Sequence, residues 1–371
     1  MNKICVITSA RSEYGLLRWT INAIKHNSDL HLQIVVGGGH LCPEQGMTYK
    51  LIEEDGYKID KKVPFLLSTD TSADIVKSMG TCLTFFADVY KELRPDMIVV
   101  LGDRYELLPI CSAALVMRIP IAHISGGDVT EGAIDNQIRN AVTMMANIHF
   151  PGTDESAVNI KRMLGKTDNI FNVGEPGIEN FKRSKMMSRK ELAQSLGINP
   201  SKKWILSTLH SETKATVDQS MFIAHKMIDA FKTVENVEVI ITYANTDLGG
   251  IQMNNYYEES AKSKNNIHVF KSLGQLRYNS LMMEAWCIVG NSSSGIVEAP
   301  LTGKPVINIG NRQKGRHMCQ NIINVPEYDK DQIKKALLQI DYCHFTPDYY
   351  FGDGNASEHI VSHIKQYFNE S

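Results

Sequence analysis

The chain has 371 residues, of which 43% are hydrophobic and 22% are charged, and its formal net charge is −2. This length predicts two domains with separate cores, and the balanced charge argues against a broad nucleic-acid-binding surface. The apolar start, MNKICVIT, is too short for a signal peptide, and we find no later run that would span a bilayer, so we expect a cytoplasmic protein without a membrane partner. Seven scattered cysteines without CxxC spacing are typical of reduced thiols.

Short apolar runs alternate with helical patterns, which is typical of parallel α/β layers. In the first half we predict strands at 4–8, 32–37, 97–101 and 121–124, and helices at 14–25, 43–55, 73–93, 105–117, 135–145 and 154–164. In the second half we predict strands at 204–208, 237–243, 267–270, 287–289 and 306–309. A long helix follows the first of these strands and runs through 227, and further helices are predicted at 256–264, 275–285, 329–340 and 357–368. The pattern weakens at 173–191, which indicates a linker. The expected architecture is two doubly wound Rossmann-like domains, at 1–175 and 176–355, followed by a last helix at 356–371.

The segment 290–316 carries the strongest functional pattern. Three serines follow a predicted strand and precede a short helical segment, which we expect to begin at Gly295 with Glu298 in its first turn. Hydroxyls and free N–H groups at such a junction bind anions, and a carboxylate can accept hydrogen bonds from a ribose diol. Arg312 and other cations follow the next strand. A capped helix with a solvated basic loop is the alternative interpretation.

Polar side chains also follow the predicted strands of the first half. Arg11 begins a helix, where a cation opposes the helix dipole, and this indicates an anionic ligand. Asp103 either caps a helix or places a carboxylate in a cleft, with Arg104 available for a phosphate. Asp135 and Arg139 lie four residues apart, so a salt pair on a helix surface is their simplest interpretation.

In the second half, His210 follows a strand and is the best-placed histidine for acid–base chemistry. Asn245, Asp247 and Lys271 follow two further strands. His123 ends a strand and is more typical of a core histidine than of a catalyst.

Two ligand classes are not indicated. The turn after the first strand lacks GxGxxG, which argues against a dinucleotide cofactor. His359 and His363 lie four residues apart on the last helix, but no acidic third ligand accompanies them. We therefore expect neither a cofactor nor a metal ion.

Taken together, these clusters resemble the UDP-N-acetylglucosamine 2-epimerase family, and specifically its hydrolysing branch, which makes N-acetylmannosamine for sialic-acid-type sugars. The matching motifs occur in a fixed order along nearly the whole chain, at 9–15, 102–104, 123–128, 132–139, 245–247, 290–295, 311–316 and 352–356. The resemblance implies a GT-B-like fold in which the C-terminal domain holds UDP and the last helix returns to the first domain.

The resemblance also implies roles for the candidate residues. The implied diphosphate and ribose contacts are Arg11, Arg104, Ser292, Ser293, Gly295, Glu298 and Arg312. Asn245, Asp247 and Lys271 would line the nucleotide-sugar pocket. The residues around the sugar would be Asp103, Asp135, Arg139 and His210.

The implied reaction removes the C2 proton as UDP leaves C1, which gives a 2-acetamidoglucal. Water then adds at C1, and C2 is protonated on the opposite face. Which carboxylate acts as the C2 base stays open. Family members often carry Glu where this chain has Ser125, an acidic residue at Asn136 and His at Asn140. This loss of acids on the sugar side suggests UDP-N,N'-diacetylbacillosamine, on the legionaminic acid route, as an alternative substrate to UDP-N-acetylglucosamine.

Three other interpretations stay open: a non-hydrolysing epimerase, a retaining glycosyltransferase of the same fold, and a sensor that binds a UDP-sugar without turnover. The resemblance further implies a homodimer or a homotetramer.

Overall fold

The structure, a computed structural model, describes residues 1–67, 71–130, 134–212, 216–245, 249–326 and 329–370. Its elements begin with β1 (Asn2–Thr8), α1 (Arg11–Lys25), β2 (Leu30–Gly37), α2 (Tyr49–Glu54), β3 (Lys61–Val63), α3 (Ser72–Leu93), β4 (Met97–Leu101), α4 (Leu107–Val116), β5 (Ile121–Ile124), α5 (Asp135–Met145), β6 (Ile148–Phe150), α6 (Asp154–Leu164) and α7 (Pro176–Arg183). They continue with α8 (Arg189–Leu196), β7 (Lys203–Thr208), α9 (Val217–Phe231), β8 (Val237–Thr242), α10 (Gly250–Ser263), β9 (Ile267–Phe270), α11 (Gly274–Glu284), β10 (Cys287–Gly290), α12 (Ser293–Val297), β11 (Val306–Ile309), β12 (Ile322–Val325), α13 (Lys330–Gln339) and α14 (Ala356–Glu370). In this described part, every helix is too short or too polar to cross a lipid bilayer.

Two compact units divide the chain. The first comprises 1–129, 135–180 and 352–371, and the second comprises 130–134 and 181–351. Each unit contains one six-stranded sheet in which every pairing is parallel. The predicted α/β class with two Rossmann-like domains is therefore confirmed.

In the first unit the strand order is β3-β2-β1-β4-β5-β6. Apolar side chains cover both faces of this sheet, because parallel strands joined by helices are buried on both sides. One face packs under α1 and α14 through residues that include Leu17, Ile21 and Ile360. The other face packs under α3 and α4, with Phe86 and Ile110 in the core. The order reverses between β1 and β4, and ligands bind beside such a reversal in open α/β sheets.

In the second unit the strand order is β12-β11-β10-β7-β8-β9. The core on one face includes Ile223, Met227 and Ile333, from α9 and α13. On the other face, Trp204 and Leu281 pack with side chains of α8. Both sheets therefore have the doubly wound form. Because the strands of each sheet are parallel, their C-terminal ends lie along one edge, which we call the carboxyl edge of that sheet.

The structure differs from the predicted elements at short or mixed segments. Strands β3, β6 and β12 have three or four residues and were missed. The predicted helix at 43–55 is a three-residue 3-10 turn followed by α2. The predicted linker at 173–191 is mostly helical, because α7 and the start of α8 occupy it.

Candidate functional site

Predicted site residues follow five of the six strands in the second sheet. Across the carboxyl edge they are Arg312 after β11, Ser292 after β10, His210 after β7, Asn245 after β8 and Lys271 after β9. These five strands are neighbours in the sheet, so the fold brings residues that are distant in sequence onto one edge. Asp247 lies outside the described residues.

The β10–α12 junction differs from its predicted form. Helix α12 begins at Ser293 and has five residues, so Glu298 lies at its C-terminal end and not in its first turn. Ser292 occupies the N-cap position, but its hydroxyl lies 3.1 Å from that of Ser294 and caps no backbone N–H. Gly295 packs the helix closely on β11, since a Cβ there would lie 3.4 Å from Cγ1 of Val306.

Gly290, the last residue of β10, lies very close to the backbone of the neighbouring strand β7. Its φ is +146°, and a Cβ at this position would overlap the carbonyl oxygen of Thr208. We expect Gly290→Ala to lower the free energy of unfolding by at least about 3 kcal/mol, because a backbone atom cannot move aside as a side chain can. Gly274→Ala is the matched control, because its φ is +68° but no atom lies near its missing Cβ. Urea unfolding measures both, and equal losses would contradict the proposed overlap.

Asn291 joins three loops of this edge. Its Oδ1 accepts a hydrogen bond from the His210 N–H at 2.7 Å, and its Nδ2 donates to the His210 carbonyl at 2.9 Å. Its own carbonyl accepts from Arg312 Nη1 at 3.2 Å and from Gln313 Nε2 at 2.9 Å. Asn291 thereby fixes the positions of His210 and Arg312 relative to each other. Sequence reasoning missed this role, although Asn291 stands within the serine motif.

His210 is held as a neutral hydrogen-bond donor. Its Nδ1 accepts a hydrogen bond from the Asn245 backbone N–H at 3.0 Å, so in the neutral ring Nε2 carries the proton. Burial, and then the positive charge of Arg312, lower its pKa to about 3. The ring is thus uncharged near neutral pH and presents an N–H to its surroundings.

Glu298 is a half-buried carboxyl group at the C-terminal end of α12. Burial raises its pKa to about 7, and the positive charge of Arg316 opposes this shift only in part. A carboxylate that has lost hydration through burial is stabilised by hydroxyl donors, because their hydrogen bonds replace those of water.

In the first unit, Arg139 is the centre of the acidic cluster. Its side chain is 1% exposed, it forms an ion pair with Asp103, and its Nη1 donates to the Asp128 carbonyl at 2.7 Å. Its pKa is raised, because Asp103 and then Asp128 and Asp135 outweigh the effect of burial. The main partner of Arg139 is therefore Asp103, and the predicted surface pair with Asp135 is not its chief contact. Asp135 begins α5 and is partly exposed.

The turn after β1 is stabilised by Glu13. Its Oε2 accepts from the backbone N–H groups of Ser9 at 2.6 Å and Ala10 at 3.0 Å. Arg104 is bound through two nitrogens to Glu106, at 2.8 and 3.2 Å, and lies 3.9 Å from Glu13. Arg104 is therefore already paired with carboxylates, while Arg11 is exposed at the first position of α1.

Two histidines of this unit, His123 and His363, make contacts that stabilise the fold. His123 is buried, with Nε2 2.8 Å from the Gly102 carbonyl and Nδ1 3.2 Å from Thr143 Oγ1, and burial lowers its pKa to about 4. Its prediction as a core histidine is confirmed. His363 stacks on Phe171 at 3.7 Å. Within the ranges that the structure describes, no group of three or more His, Cys, Asp or Glu side chains is arranged to hold a metal ion.

Comparisons with known proteins identify the family of the chain. Residues 22–365 match the family model described as UDP-N-acetylglucosamine 2-epimerase. A GDP/UDP-N,N'-diacetylbacillosamine 2-epimerase (hydrolyzing) of Campylobacter jejuni is 38% identical over 90% of this chain and 87% of its own length. The polysialic acid biosynthesis protein P7 of Escherichia coli is 31% identical, over 91% of this chain and 85% of its own.

A solved structure shows the same fold over the full length. The UDP-GlcNAc 2-epimerase of Neisseria meningitidis, bound to UDP-GlcNAc, superposes with a TM-score of 0.79 at 18% identity, covering 98% of this chain and all of that one. This likeness confirms the GT-B-like fold class. On the family match and the hydrolysing relatives together, the chain is an epimerase that belongs to the hydrolysing branch of the UDP-N-acetylglucosamine 2-epimerase family.

Proposed function

We propose that the protein eliminates UDP from UDP-N-acetylglucosamine and hydrates the resulting 2-acetamidoglucal, releasing UDP and N-acetylmannosamine. The observation that carries this proposal is the carboxyl edge of the second sheet, where hydroxyls, an arginine and a neutral histidine N–H follow neighbouring strands. Such donors stabilise the negative charge that grows on a departing diphosphate. Asp103 and Asp135 in the first unit supply carboxylates for proton transfer.

The proposed UDP contacts in the second unit divide by chemistry. The hydroxyls of Ser292 and Ser293 and the guanidinium of Arg312 serve the diphosphate, and the Nε2–H of His210 adds a neutral donor. Because α12 has only five residues, we attribute binding to these side chains more than to a helix dipole. Glu298 serves the ribose hydroxyls. Asn245, Asp247 and Lys271 remain proposed pocket residues, as do Arg11 and Arg104 for the phosphates.

UDP affinity should depend on pH through Glu298. Two ribose hydroxyls donate best to an ionised carboxylate, so we expect affinity to rise as pH increases through about 7, the pKa of this group. Glu298→Gln should bind UDP about 10-fold more weakly at pH 8 and lose this dependence, which titration calorimetry between pH 6 and 8.5 can measure. The second ionisation of the phosphate is common to both proteins and cancels in the comparison. An unchanged pH dependence in Glu298→Gln would rule out the ribose role.

At the sugar, the ion pair with Arg139 fixes the Asp103 carboxyl group in place. An ionised carboxylate can remove the C2 proton directly. The electron pair of the broken C2–H bond then forms the C1=C2 double bond as the C1–O bond to UDP breaks. Asp135 is the second candidate for this base, and Asp103→Asn and Asp135→Asn tested separately for C2 exchange would assign it.

A second candidate substrate is UDP-N,N'-diacetylbacillosamine. The hydrolysing relatives from Campylobacter jejuni and Legionella pneumophila, at 38% and 29% identity, carry names with this sugar. Ser125, at the end of β5, is also smaller and less acidic than the glutamate common in the family, which suits a bulkier sugar without a free 4-hydroxyl.

One experiment separates these functions. Each UDP-sugar is incubated with the protein in D₂O and followed by NMR. The proposal predicts free UDP and a free manno-configured sugar carrying deuterium at C2, and the faster substrate is the physiological class. Intact UDP-sugar with deuterium at C2 would instead indicate a non-hydrolysing epimerase. Turnover only with an added acceptor would indicate a glycosyltransferase, and binding without turnover a sensor.

We also propose a cytoplasmic homodimer or homotetramer, as the family resemblance implies. Light scattering coupled to size-exclusion chromatography measures the assembly, and a mass of 41.6 kDa at micromolar concentration would exclude it.

A further inference from the structure

The first unit contains a serine–carboxylate pair at the end of β5. The hydroxyl of Ser125 donates to Oε2 of Glu175 at 2.7 Å. Glu175 is 9% exposed, whereas Ser125 is only partly buried. Ser125 is therefore the more exposed residue of the pair, and Glu175 is the more buried one.

Backbone features of three segments make room for this pair. A Cβ on residue 152 would overlap the Glu175 carboxyl group, so glycine at this position admits the side chain. A Cβ on residue 352 would lie 2.8 Å from the Cα of Gly174, the residue before Glu175. Glycine at 352 therefore lets the chain around Glu175 pack closely against this segment. Ser125 itself has a φ of +58°, a left-handed conformation that costs a serine about 1 kcal/mol. Strain and close packing at several positions are typical of a functional site.

The pair lies beside the acidic cluster described above. Leu101 pairs with Ile124 and Ile124 with Phe150, so Gly102 and Ser125 leave neighbouring strands at the same level. Asp103, the partner of Arg139, follows Gly102 directly. Both groups thus stand on the carboxyl edge of the first sheet, where a ligand of an open α/β fold is bound.

We propose that Ser125 and Glu175 form a proton relay for the hydration step, with Glu175 acting through the serine hydroxyl. This inference rests on the proposed function and adds to it a residue pair for the second half of the reaction. A hydroxyl exchanges protons readily with water oxygen but is too weak a base to remove a proton from carbon. The pair therefore suits hydration and not elimination.

The step balances as follows. The oxygen of water forms a bond to C1 of the 2-acetamidoglucal, and one of its protons passes to Ser125 Oγ while the Ser125 proton passes to Glu175. The electron pair of the C1=C2 bond takes a proton at C2 from a different acid. Products are the free sugar and a protonated Glu175, which returns its proton to solvent.

The test compares Ser125→Ala and Glu175→Gln with the wild-type enzyme, by NMR of the sugar products and by a coupled assay for UDP. We expect both variants to release UDP within about 10-fold of the wild-type rate while the ratio of free sugar to UDP falls at least about 100-fold. The missing sugar should appear as 2-acetamidoglucal. Glu175→Asp should restore part of the ratio if the shorter carboxylate still reaches the serine.

A matched control exists in the same unit, because Ser357 donates to Glu179 in a second buried serine–carboxylate pair at 2.6 Å. Ser357→Ala should leave the product ratio unchanged. Ser125→Gly removes the hydroxyl while relieving the left-handed strain, so it tests the relay in a stable protein. A wild-type product ratio in folded Ser125→Gly and Glu175→Gln would overturn the relay, as would a parallel fall of UDP and sugar. Absence of UDP release by the wild-type enzyme would instead overturn the proposed function.

Discussion

Replacing Arg139 with methionine is expected to lower the free energy of unfolding by about 3 kcal/mol and to reduce kcat at least about 1,000-fold. The side chain is 1% exposed and bonds both the Asp103 carboxylate and the Asp128 carbonyl. Methionine keeps most of the volume but removes the guanidinium donor from both acceptors. Urea unfolding and steady-state UDP release measure the two effects.

Two further variants separate charge from geometry in this prediction. Arg139→Lys keeps the charge but lacks the planar fork that serves two acceptors, so we expect partial rescue of stability and little rescue of activity. Arg18→Met is the matched control, because Arg18 pairs with Asp55 at 2.9 Å on the surface, where an ion pair contributes less than about 1 kcal/mol. A loss in Arg139→Met no larger than that in Arg18→Met would refute the buried pair as a stabilising element.

Replacing His210 should distinguish a hydrogen-bond donor from an acid or base. His210→Ala is expected to lose about 100-fold to 1,000-fold in kcat, the usual cost of removing one donor to a developing anion. His210→Gln places an amide N–H near the former Nε2 and should recover at least about 10-fold of this loss. Because the pKa of His210 is near 3, none of the variants should change the pH profile between 5 and 9.

The alternative outcome is informative. If the wild-type profile shows a limb near pH 6.5 that disappears in His210→Gln, the histidine titrates during turnover, and its Nδ1 contact with Asn245 does not hold in the working enzyme. His225→Ala provides a control, since His225 is exposed and stacks on Tyr256 at 4.1 Å.

The sequence predicts the class of fold because buried strands such as β4, with the sequence MIVVL, are apolar throughout. It predicts much less where a strand has three residues. β3 and β6 have no periodicity to detect and form because they complete a sheet edge in three dimensions. The helix α7 was hidden by Pro176, which begins the helix instead of breaking it.

For the site, the sequence predicts which residues follow strands but not which of them meet. Spacing suggests a pair of Arg139 with Asp135, whereas its main partner, Asp103, is 36 residues away in the loop after β4. Glu175 was overlooked because it precedes α7 in a segment taken for a linker. The glycines at 152 and 352 were the available signal, but only the folded chain shows what they accommodate.

Glu13 has a consequence for where nucleotides can bind. By accepting from the N–H groups of Ser9 and Ala10, this carboxylate occupies the place where the first βα turn of many nucleotide-binding folds receives a phosphate. The Glu13 carboxylate therefore accepts the hydrogen bonds that a bound phosphate would otherwise accept. In the first unit the N–H groups of this turn are thus already bound by the protein itself, so a phosphate near this turn would have to be held by side chains such as Arg11.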